Sequence, residues 1–410
     1  MKPSARNYLK DIMTILSDEN SVVKNDEKDN EENEKRAALS SALLSWYDQF
    51  GRDLPWRVRG AHPSPYTVWI SEIMLQQTTV KTVIPYFYRF LEKFPDIETL
   101  ANADIEDVLL MWQGLGYYTR ARKLHECAQY LVKNHGGKFP ETYSELLKLP
   151  GIGPYTAASI SSLAFDKREA VVDGNVIRVI SRLYGIQEST AISLPDVTKK
   201  AQNLMSDTRA ADYTSAIMDL GATVCTPKNP VCNSCPFETD CAALSLHLIE
   251  EIPKIEKLQK INKIGKLFWI ENESKEVLIR KRSEKGLLHG LTEFPWEAVE
   301  GDRSKLREIP FPIENTDWIE TGKSVRHVFT HINLTLEIYQ TKINSMKNES
   351  DLMNLKKSGG QFVSKKDFEN YPFSTLMKKV IREADSDDQK VSKNGKKSKK
   401  IVSKTLSQFE

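Results

Sequence analysis

Four of the five cysteines in this chain, Cys225, Cys232, Cys235 and Cys241, follow one another in the spacing C-x6-C-x2-C-x5-C. Thiols crowded into so short a segment can close around one soft metal centre, because four sulfurs satisfy either a tetrahedral zinc ion or the corners of an iron–sulfur cube. The fifth, Cys127, lies in a helical pattern, where a cysteine usually packs as a small apolar side chain. The residues therefore predict a metal-bearing loop and leave the choice between zinc and iron–sulfur open.

The rest of the composition predicts an intracellular protein. No apolar run approaches the roughly 20 residues needed to span a bilayer, and the start MKPSARNYLK lacks a secretory apolar segment. We therefore expect no membrane association and a reducing compartment, where clustered cysteines bind metal more readily than they form disulfides. In a bacterium this is the cytoplasm and nucleoid, and in a eukaryote the nucleus or mitochondrion.

Charge is distributed unevenly along the chain. The net charge is +2, but residues 17–36 hold eight acidic residues against four basic ones and almost nothing apolar. A segment of this composition cannot bury a core, so we predict a disordered acidic extension over residues 1–37. Residues 386–410 are rich in lysine, which predicts a disordered basic tail.

Between these extensions the hydrophobic periodicity changes near residue 255. Over residues 38–250 apolar side chains recur at helical spacing, as in Val80, Ile84 and Phe87, which predicts a helical domain. Residues 251–264 form a charged connector. Over residues 265–385 a period of two occurs, which predicts a smaller α+β domain. Its expected elements are strands at 266–270, 276–281 and 332–338 and helices at 351–357 and 373–384.

The segment LPGIGPYTAASI, residues 149–160, places two glycines between apolar stretches, and the second stretch begins at a proline. This pattern is typical of a helix-hairpin-helix. Gly151 and Gly153 permit a tight turn with no Cβ in the way, so that backbone N–H groups and a helix N-terminus can approach a phosphate. An ordinary helical corner is the alternative.

Two carboxylates are candidates for acid–base chemistry. Glu72 lies on a predicted helix among Val68, Trp69 and Leu75, and an acid among apolar groups keeps its proton to higher pH, which suits a general acid. Asp173 follows a short apolar run and precedes a helix. An aspartate in that position is commonly only a helix N-cap, so both interpretations stay open.

Seven segments share a wider pattern. They are LPWR (54–57), PYTVWISEIMLQQTTV (65–80), MWQGLGYYTRARKL (111–124), LPGIGPYTA (149–157), VDGNVIRV (172–179), DLGATVC (219–225) and the four-cysteine loop. Together they resemble the adenine DNA glycosylases of the endonuclease III superfamily. The resemblance covers roughly residues 40–385. It implies a mainly α fold, with a helix-hairpin-helix DNA glycosylase domain that carries a [4Fe-4S] loop, followed by a smaller α+β Nudix-like domain.

The resemblance implies an activity and a substrate. A monofunctional glycosylase of this family hydrolyses the N-glycosidic bond of adenine mispaired with 8-oxoguanine or guanine in double-stranded DNA, in base excision repair. Glu72 would protonate the adenine, and Asp173 would stabilise the oxocarbenium ion, which is the two-carboxylate logic of glycoside hydrolysis. Tyr155 and Asn175 would assist around the sugar and the attacking water.

The resemblance also implies DNA- and lesion-binding residues. Trp56 and Arg57 would line the adenine pocket, and Gln77, Thr78, Leu115 and Tyr117 would fill the stack near the lesion. Gly151 and Gly153 would bind the DNA backbone. The residues that would recognise 8-oxoguanine are Phe329, Thr330 and His331. A [4Fe-4S] cluster at Cys225, Cys232, Cys235 and Cys241 is the implied cofactor. We expect a monomer, and no protein partner is defined by the sequence.

Two alternatives remain. The first is a bifunctional glycosylase and lyase of the endonuclease III kind. Endonuclease III has a lysine nucleophile where this hairpin has Tyr155, and it lacks a glutamate at the position of Glu72. Tyr155 cannot form a Schiff base, which disfavours this alternative. The second is a cluster-bearing DNA-binding protein without catalysis, which the presence of both carboxylates disfavours.

Overall fold

A computed structural model describes residues 30–58, 61–256, 259–284, 286–313, 316–343, 353, 359–385 and 399–402. The chain forms two compact units that are discontinuous in sequence. The first consists of the residues up to Gln76 together with Asn134–Glu256, and the second consists of Gln77–Lys133 together with the residues from Lys257 onwards. The sequence had predicted one helical domain over 38–250, whereas the contacts group the helices of residues 77–133 with the C-terminal part.

Thirteen helices are named here within the described residues. They are α1 (30–50), α2 (Pro65–Leu75), α3 (Val80–Lys93), α4 (Ile97–Asn102), α5 (Ile105–Met111), α6 (Thr119–His135), α7 (Tyr143–Leu146), α8 (Pro154–Phe165), α9 (Gly174–Leu183), α10 (Thr190–Leu204), α11 (Ala210–Thr223), α12 (Ala242–Ser245) and α13 (Thr375–Asp385). Among the described residues, none of these helices combines the length and the apolar character needed to cross a lipid bilayer.

Helix α1 begins at residue 30, inside the segment 1–37 that the sequence predicted to be disordered. Two ion pairs hold its first turns, from Lys35 to Asp240 at 3.2 Å and from Arg36 to Asp207 at 2.9 Å. Composition does not reveal such distant partners, which is why the helix start was missed. Residues 1–29 lie outside the described part of the chain.

Helices α2 and α8 are the central helices of the first unit. Each starts with a proline at its first helical position, where no N–H is needed for an intrahelical bond. Each buries eight of its residues. The neighbouring core joins α1, α9, α10 and α11 through Leu43, Ile180, Val197 and Leu220. The apolar residues that recur at helical spacing in the sequence thus form the core of a helical body, as predicted.

The second unit contains an eight-stranded mixed sheet. Its strands are β1 (Ile261–Glu271), β2 (Val277–Lys281), β3 (Thr292–Glu293), β4 (Trp296–Glu300), β5 (Asp317–Val328), β6 (Ile332–Lys342), β7 (Gly360–Val363) and β8 (Lys399–Val402). The main order is β3-β2-β1-β6-β5-β8, while β4 pairs with β1 and β7 pairs with β2. Strands β1 and β6 are parallel, and β5 and β6 are antiparallel with an irregularity between Glu320 and Ser324.

Both faces of this sheet are covered. On β1, Leu267 and Trp269 pack into a core with α13, while Phe268 and Ile270 pack into a second core around Trp318. This alternation is the period of two that the sequence showed. The mainly α fold with a following α+β domain is confirmed.

The predicted secondary structure of this region can be compared element by element. The strands expected at 266–270, 276–281 and 332–338 correspond to β1, β2 and β6, and the helix expected at 373–384 corresponds to α13. The helix expected at 351–357 lies outside the described residues except for position 353. Within the tail predicted to be disordered, β8 pairs through its backbone with β5, because an edge strand offers unpaired N–H and C=O groups. The remainder of residues 386–410 is outside the described part.

Candidate active site

The carboxyl group of Glu72 is the centre of the candidate site. It lies on α2 and is only 4% exposed. The hydroxyl of Tyr155, in the first turn of α8, donates a hydrogen bond to Glu72 Oε2 at 2.6 Å. Burial raises the pKa of Glu72 above its ordinary value, and hydrogen bonds from Tyr155 and Ser159 offset this only in part. The site therefore favours a protonated glutamate, as a general acid requires.

Asp173 belongs to the same electrostatic environment. It is the N-cap of α9, where Oδ1 accepts a hydrogen bond from the backbone N–H of Val176 at 2.7 Å and Oδ2 accepts one from Asn175 Nδ2 at 2.9 Å. Its negative charge raises the pKa of Glu72 and also that of Tyr155. The capping interpretation is confirmed, and the capping carboxylate also acts on the buried acid.

Arg57 is held beside the site by an acid that sequence reasoning missed. Asp219, on α11, is fully buried and accepts hydrogen bonds from Arg57 Nη1 at 2.7 Å and Nη2 at 2.9 Å. Arg52 donates to the same carboxylate from its backbone N–H, from Nε and from Nη2. The positive charge of Arg57 in turn lowers the pKa of Glu72, against the larger effect of burial. The neighbouring Trp56 is buried.

The four cysteines of the loop line one pocket together with Val224, Pro230 and Leu244. In the part of the chain that the structure describes, no three histidine, cysteine, aspartate or glutamate side chains form a ready-made metal site. The donor set nevertheless suits a soft metal centre. Burial raises the pKa of the Cys232, Cys235 and Cys241 thiols, and the charge of neighbouring cysteines adds to this. A cationic centre among them would offset that repulsion.

Two arginines of α9 connect this loop to the rest of the first unit. Arg178 donates to Asn175 Oδ1 at 2.9 Å and to the carbonyl of Cys225 at 2.7 Å. Arg182 is buried and donates to Cys225 Sγ at 3.4 Å and to the carbonyl of Thr226 at 2.8 Å. A buried guanidinium next to the thiols would balance the negative charge of ligating thiolates.

The predicted hairpin is present between α7 and α8. Gly151 has a φ of +74°, which favours glycine, so the sequence interpretation holds at this position. Gly153 is the N-cap of α8 with ordinary extended dihedrals, and a Cβ there would meet nothing within 4 Å. Neither the backbone nor the protein around it requires glycine at 153, where the residue is half-buried and the following Pro154 is exposed.

The predicted lesion-binding residues Tyr117 and Thr330 lie together in the second unit. Tyr117 is 48% exposed, has a φ of +47°, and its hydroxyl is 2.6 Å from Thr330 Oγ1. The Phe329 ring packs against the His327 ring in a tilted arrangement, with centroids 4.5 Å apart and planes at 56°. His331 is exposed just before β6. The Tyr117 loop is also tied to the sheet domain by Gln113, whose side-chain amide donates to the carbonyls of Tyr371 at 3.2 Å and Phe373 at 3.1 Å.

The other residues expected near the lesion differ in exposure. Gln77 is exposed and has a φ of +58°, and Thr78 is half-buried. Leu115 is only 5% exposed, so its side chain is part of the protein interior and is not presented to solvent. The sequence did not distinguish Leu115 from Tyr117, because two residues of one loop can point in opposite directions.

Four further residues of the sites were missed by sequence reasoning: Asp219, Gln113, Arg178 and Arg182. Three of them stand inside recognised segments, Asp219 in DLGATVC, Gln113 in MWQGLGYYTRARKL and Arg178 in VDGNVIRV. Arg182 lies three residues beyond the last of these segments. A signal was available for the arginines, which are four residues apart and so share one face of α9. Asp219 gave only the weak signal of a single acid in the largely apolar run AIMDLGA.

Two family models match this chain. The family model described as HhH-GPD superfamily base excision DNA repair protein matches residues 70–204, and the model described as NUDIX domain matches residues 266–383. The protein is therefore a helix-hairpin-helix DNA repair protein with an appended Nudix domain.

Individual relatives narrow this class. The adenine DNA glycosylase of Rattus norvegicus is 35% identical, over 84% of this chain and 77% of the rat protein. The adenine DNA glycosylase of Homo sapiens is 34% identical, over 84% of this chain and 73% of the human protein. Among solved structures, a thermostable thymine-DNA glycosylase is 30% identical over 52% of this chain and 99% of that chain, with a TM-score of 0.48. The chain belongs to the adenine DNA glycosylase family, and it is an enzyme that hydrolyses N-glycosyl bonds in base excision repair.

Proposed function

We propose that the protein removes adenine from double-stranded DNA where adenine is mispaired with 8-oxoguanine or guanine. The observation that carries the proposal is the buried Glu72, hydrogen-bonded by Tyr155 and coupled to Asp173, in a chain of the adenine DNA glycosylase family. The adenine must first leave the base stack, because neither carboxylate could reach it inside a duplex. Such an enzyme works where genomic DNA is kept, and we expect it to act as a monomer.

The proposed reaction uses the two carboxyl groups in different protonation states. Glu72 gives its proton to N7 of the adenine, so that the electron pair of the bond from C1′ to N9 leaves with the base. Asp173, whose carboxylate is held by Asn175 and the Val176 N–H, stabilises the positive charge that develops on the sugar. Water then adds to C1′ and releases a proton to the Glu72 carboxylate, which restores the protonated glutamate.

The remaining residues of the first unit have supporting roles in this proposal. Tyr155 donates to Glu72 and fixes the orientation of its carboxyl group. Arg57 and Trp56 border the space for the adenine. The N-terminus of α8 at Gly153 is suited to a DNA phosphate, which would need the close approach that a Cβ prevents.

The lesion-reading part of the proposal concerns the second unit. Tyr117, Gln77 and Thr78 would occupy the stack beside the lesion, and Phe329, Thr330 and His331 would contact 8-oxoguanine. The exposure of Tyr117, Thr330 and His331 supports this assignment, whereas the burial of Leu115 leaves it a packing role in the protein interior.

The cofactor proposed for the loop is a [4Fe-4S] cluster held by Cys225, Cys232, Cys235 and Cys241. Four thiols lining one pocket, with the buried Arg182 beside them, support this choice. When bound, the cluster would fix the fold of a segment that otherwise contains only short helical turns. None of the proposed steps of adenine removal passes through it.

The activity is tested by incubating a duplex that contains one 8-oxoguanine:adenine pair with the protein, with and without alkali. Strand cleavage that requires alkali is expected, since a monofunctional glycosylase leaves an intact backbone. Cleavage without alkali would favour the bifunctional alternative, and no cleavage would favour the non-catalytic one.

Glu72→Gln should lower the single-turnover rate by at least about 10²-fold while duplex binding is kept. The exposed Glu126→Gln is the matched control and should retain the wild-type rate.

A further inference from the structure

The loop of residues 113–118, between α5 and α6, is fastened to the sheet domain by the side chain of Gln113. Its amide nitrogen donates hydrogen bonds to the backbone carbonyls of Tyr371 at 3.2 Å and Phe373 at 3.1 Å. A side-chain amide has two N–H donors, so these two bonds use both. The amide can satisfy both carbonyls in only one orientation, and the bonds therefore fix the start of the loop relative to residues 371–373.

Residues 371–373 form a firm anchor for this amide. The side chain of Phe373 is buried in the core of the sheet domain and stacks on Phe294, with ring centroids 5.3 Å apart. The N–H of Phe373 donates to the carbonyl of Tyr371 at 2.8 Å, and a β-bridge pairs Phe373 with Thr292. A loop that is bonded to this segment takes the position that the sheet core sets.

Tyr86 of α3 holds the same part of the loop from the helical side. Its hydroxyl donates to the backbone carbonyl of Gln113 at 2.9 Å. The next residue, Gly114, has a φ of +110°, and a Cβ at this position would clash with the Tyr86 hydroxyl. Glycine is therefore required there. The start of the loop is thus held between α3 and the sheet domain.

Beyond this point the loop carries Tyr117, whose hydroxyl is 2.6 Å from Thr330 Oγ1. The backbone that leads to Tyr117 is itself braced, because Trp112 Nε1 and Arg120 Nη2 each donate to the carbonyl of Gly116 at 3.2 Å. A displacement of the loop start would therefore be passed on to the Tyr117 ring and would break its contact with Thr330.

We infer that Gln113 is a positioning residue for lesion selectivity, because its two hydrogen bonds set where Tyr117 meets Thr330. This inference rests on the proposed function, in which Tyr117 and Thr330 lie at the lesion. Gln113 acts through the loop and needs no contact with DNA. Without its amide, the contact between the two loops is lost and the preference for 8-oxoguanine:adenine over guanine:adenine falls.

The test is the ratio of the single-turnover rates of adenine release from 8-oxoguanine:adenine and guanine:adenine duplexes, measured with the full-length protein at one salt concentration. Gln113→Met keeps the length of the side chain and removes both donors. The ratio should fall about fivefold, because the hydrogen bond between Tyr117 and Thr330 is lost with them.

Gln129→Met is the matched control. Gln129 lies on α6 in the same unit, and its side-chain amide also donates to a backbone carbonyl, that of Ala101 at 3.3 Å. The same substitution there removes an amide-to-carbonyl bond away from the loop, so the ratio should not change. A fall in the ratio equal to that of Gln113→Met would show a general loss of stability and would overturn the inference.

A combination with Thr330→Val tests whether Gln113 acts through the contact between the loops. Once the Thr330 hydroxyl has been removed, Gln113→Met should change the ratio little, because the two substitutions break the same contact. If the two losses multiply, Gln113 acts independently of Thr330 and the inference is wrong.

The remaining outcomes separate the inference from the proposed function. Equal losses of rate on both duplexes in Gln113→Met would show that Gln113 only supports the fold. If circular dichroism shows Gln113→Met to be unfolded, Gln113→Asn takes its place, since its shorter amide cannot reach both carbonyls, and an unchanged ratio in that variant overturns the inference. A wild-type protein without any preference for 8-oxoguanine contradicts the proposed function itself.

Discussion

A buried carboxyl group that keeps its proton costs folding free energy whenever the solution favours its ionised form. Glu72 is such a group, because burial raises its pKa above the ordinary value of 4.5. The folded state therefore binds this proton more tightly than the unfolded state does. Stability from this group is greatest below the unfolded pKa and is lost as pH rises through the folded pKa.

This pH dependence of the stability gives a prediction for Glu72→Gln, because the glutamine side chain cannot ionise. The variant should melt at about the same temperature as wild type near pH 4 and at a progressively higher temperature as pH rises to 8. Each unit of pKa shift corresponds to about 1.4 kcal/mol. Thermal melts monitored by circular dichroism measure the difference, with Glu126→Gln as an exposed control. A difference that does not change with pH would contradict the argument.

At the scale of single residues, the sequence identified the acidic residues whose neighbours in the fold are also close in the chain. Glu72 was recognisable because its apolar neighbours stand three and four residues away on the same helix. Asp219 was not, because its partners Arg52 and Arg57 lie 167 and 162 residues away. Whether a lone aspartate caps a helix, faces water or anchors two arginines depends on contacts that only the folded chain supplies.

Two loops of the second unit carry residues proposed to contact the lesion. A hydrogen bond between the hydroxyl groups of Tyr117 and Thr330 joins these two loops. If this bond sets the position of the Tyr117 ring, the two side chains should act as one unit in selecting the lesion. Thr330→Val and Tyr117→Phe should each reduce the preference for 8-oxoguanine:adenine over guanine:adenine, by the roughly 0.5–1.5 kcal/mol of a hydrogen bond.

The double variant should lose no more than the larger single loss. Rates on the two duplexes at one salt concentration measure the preference, because binding to DNA depends strongly on salt. Tyr88→Phe is the matched control, since Tyr88 is another exposed tyrosine of this unit and has no proposed role. Additive losses would show that the two residues act independently.

Element types were predictable where a single periodicity governs them. Strand β6 alternates Leu334, Leu336 and Ile338 with half-buried residues, and the sequence displays this directly. The start of α1 and the strand β8 were not predictable, since each depends on partners far away in the chain: ion pairs for α1 and the free edge of β5 for β8. Local patterns specify element types, whereas tertiary contacts specify where elements begin and end.

At the scale of the molecule, the division into units changes how lesion reading should be tested. A cut at the predicted boundary near residue 255 would remove the sheet domain from residues 77–133, which pack with it in the second unit. Substitutions in the intact chain avoid this. Phe329→Ala with His331→Ala should lower the preference for 8-oxoguanine over guanine by about 1–3 kcal/mol, the size of a lost base contact, while adenine opposite guanine is still removed.

Equilibrium binding of the double variant to both duplexes, at one salt concentration, checks this expectation. Ser324→Ala is a suitable control, since Ser324 is exposed on β5 away from the loop tip. Unchanged selectivity would assign lesion reading to residues other than the loop of Phe329–His331.

Binding of the proposed [4Fe-4S] cluster would likewise depend on the whole folded chain. Protein purified without air should be brown and should contain about four irons per chain, as a cube held by four thiolates requires. Cys232→Ser should lose most of the iron, whereas Cys127→Ala should keep it, because Cys127 is buried elsewhere, in α6. Stoichiometric zinc in place of iron would contradict the assignment.

The chain leaves the first unit after Gln76 and returns to it at Asn134, and this order has a consequence for biosynthesis. Tyr155 emerges 83 residues after Glu72, so at ordinary translation rates α2 waits roughly 4–17 seconds for the helix that covers it. During that time the eight residues that α2 buries in the folded protein lack α8, which packs against this helix. The hydrogen-bonded pair of Glu72 and Tyr155 is therefore assembled only after residues 77–133 of the second unit have been made.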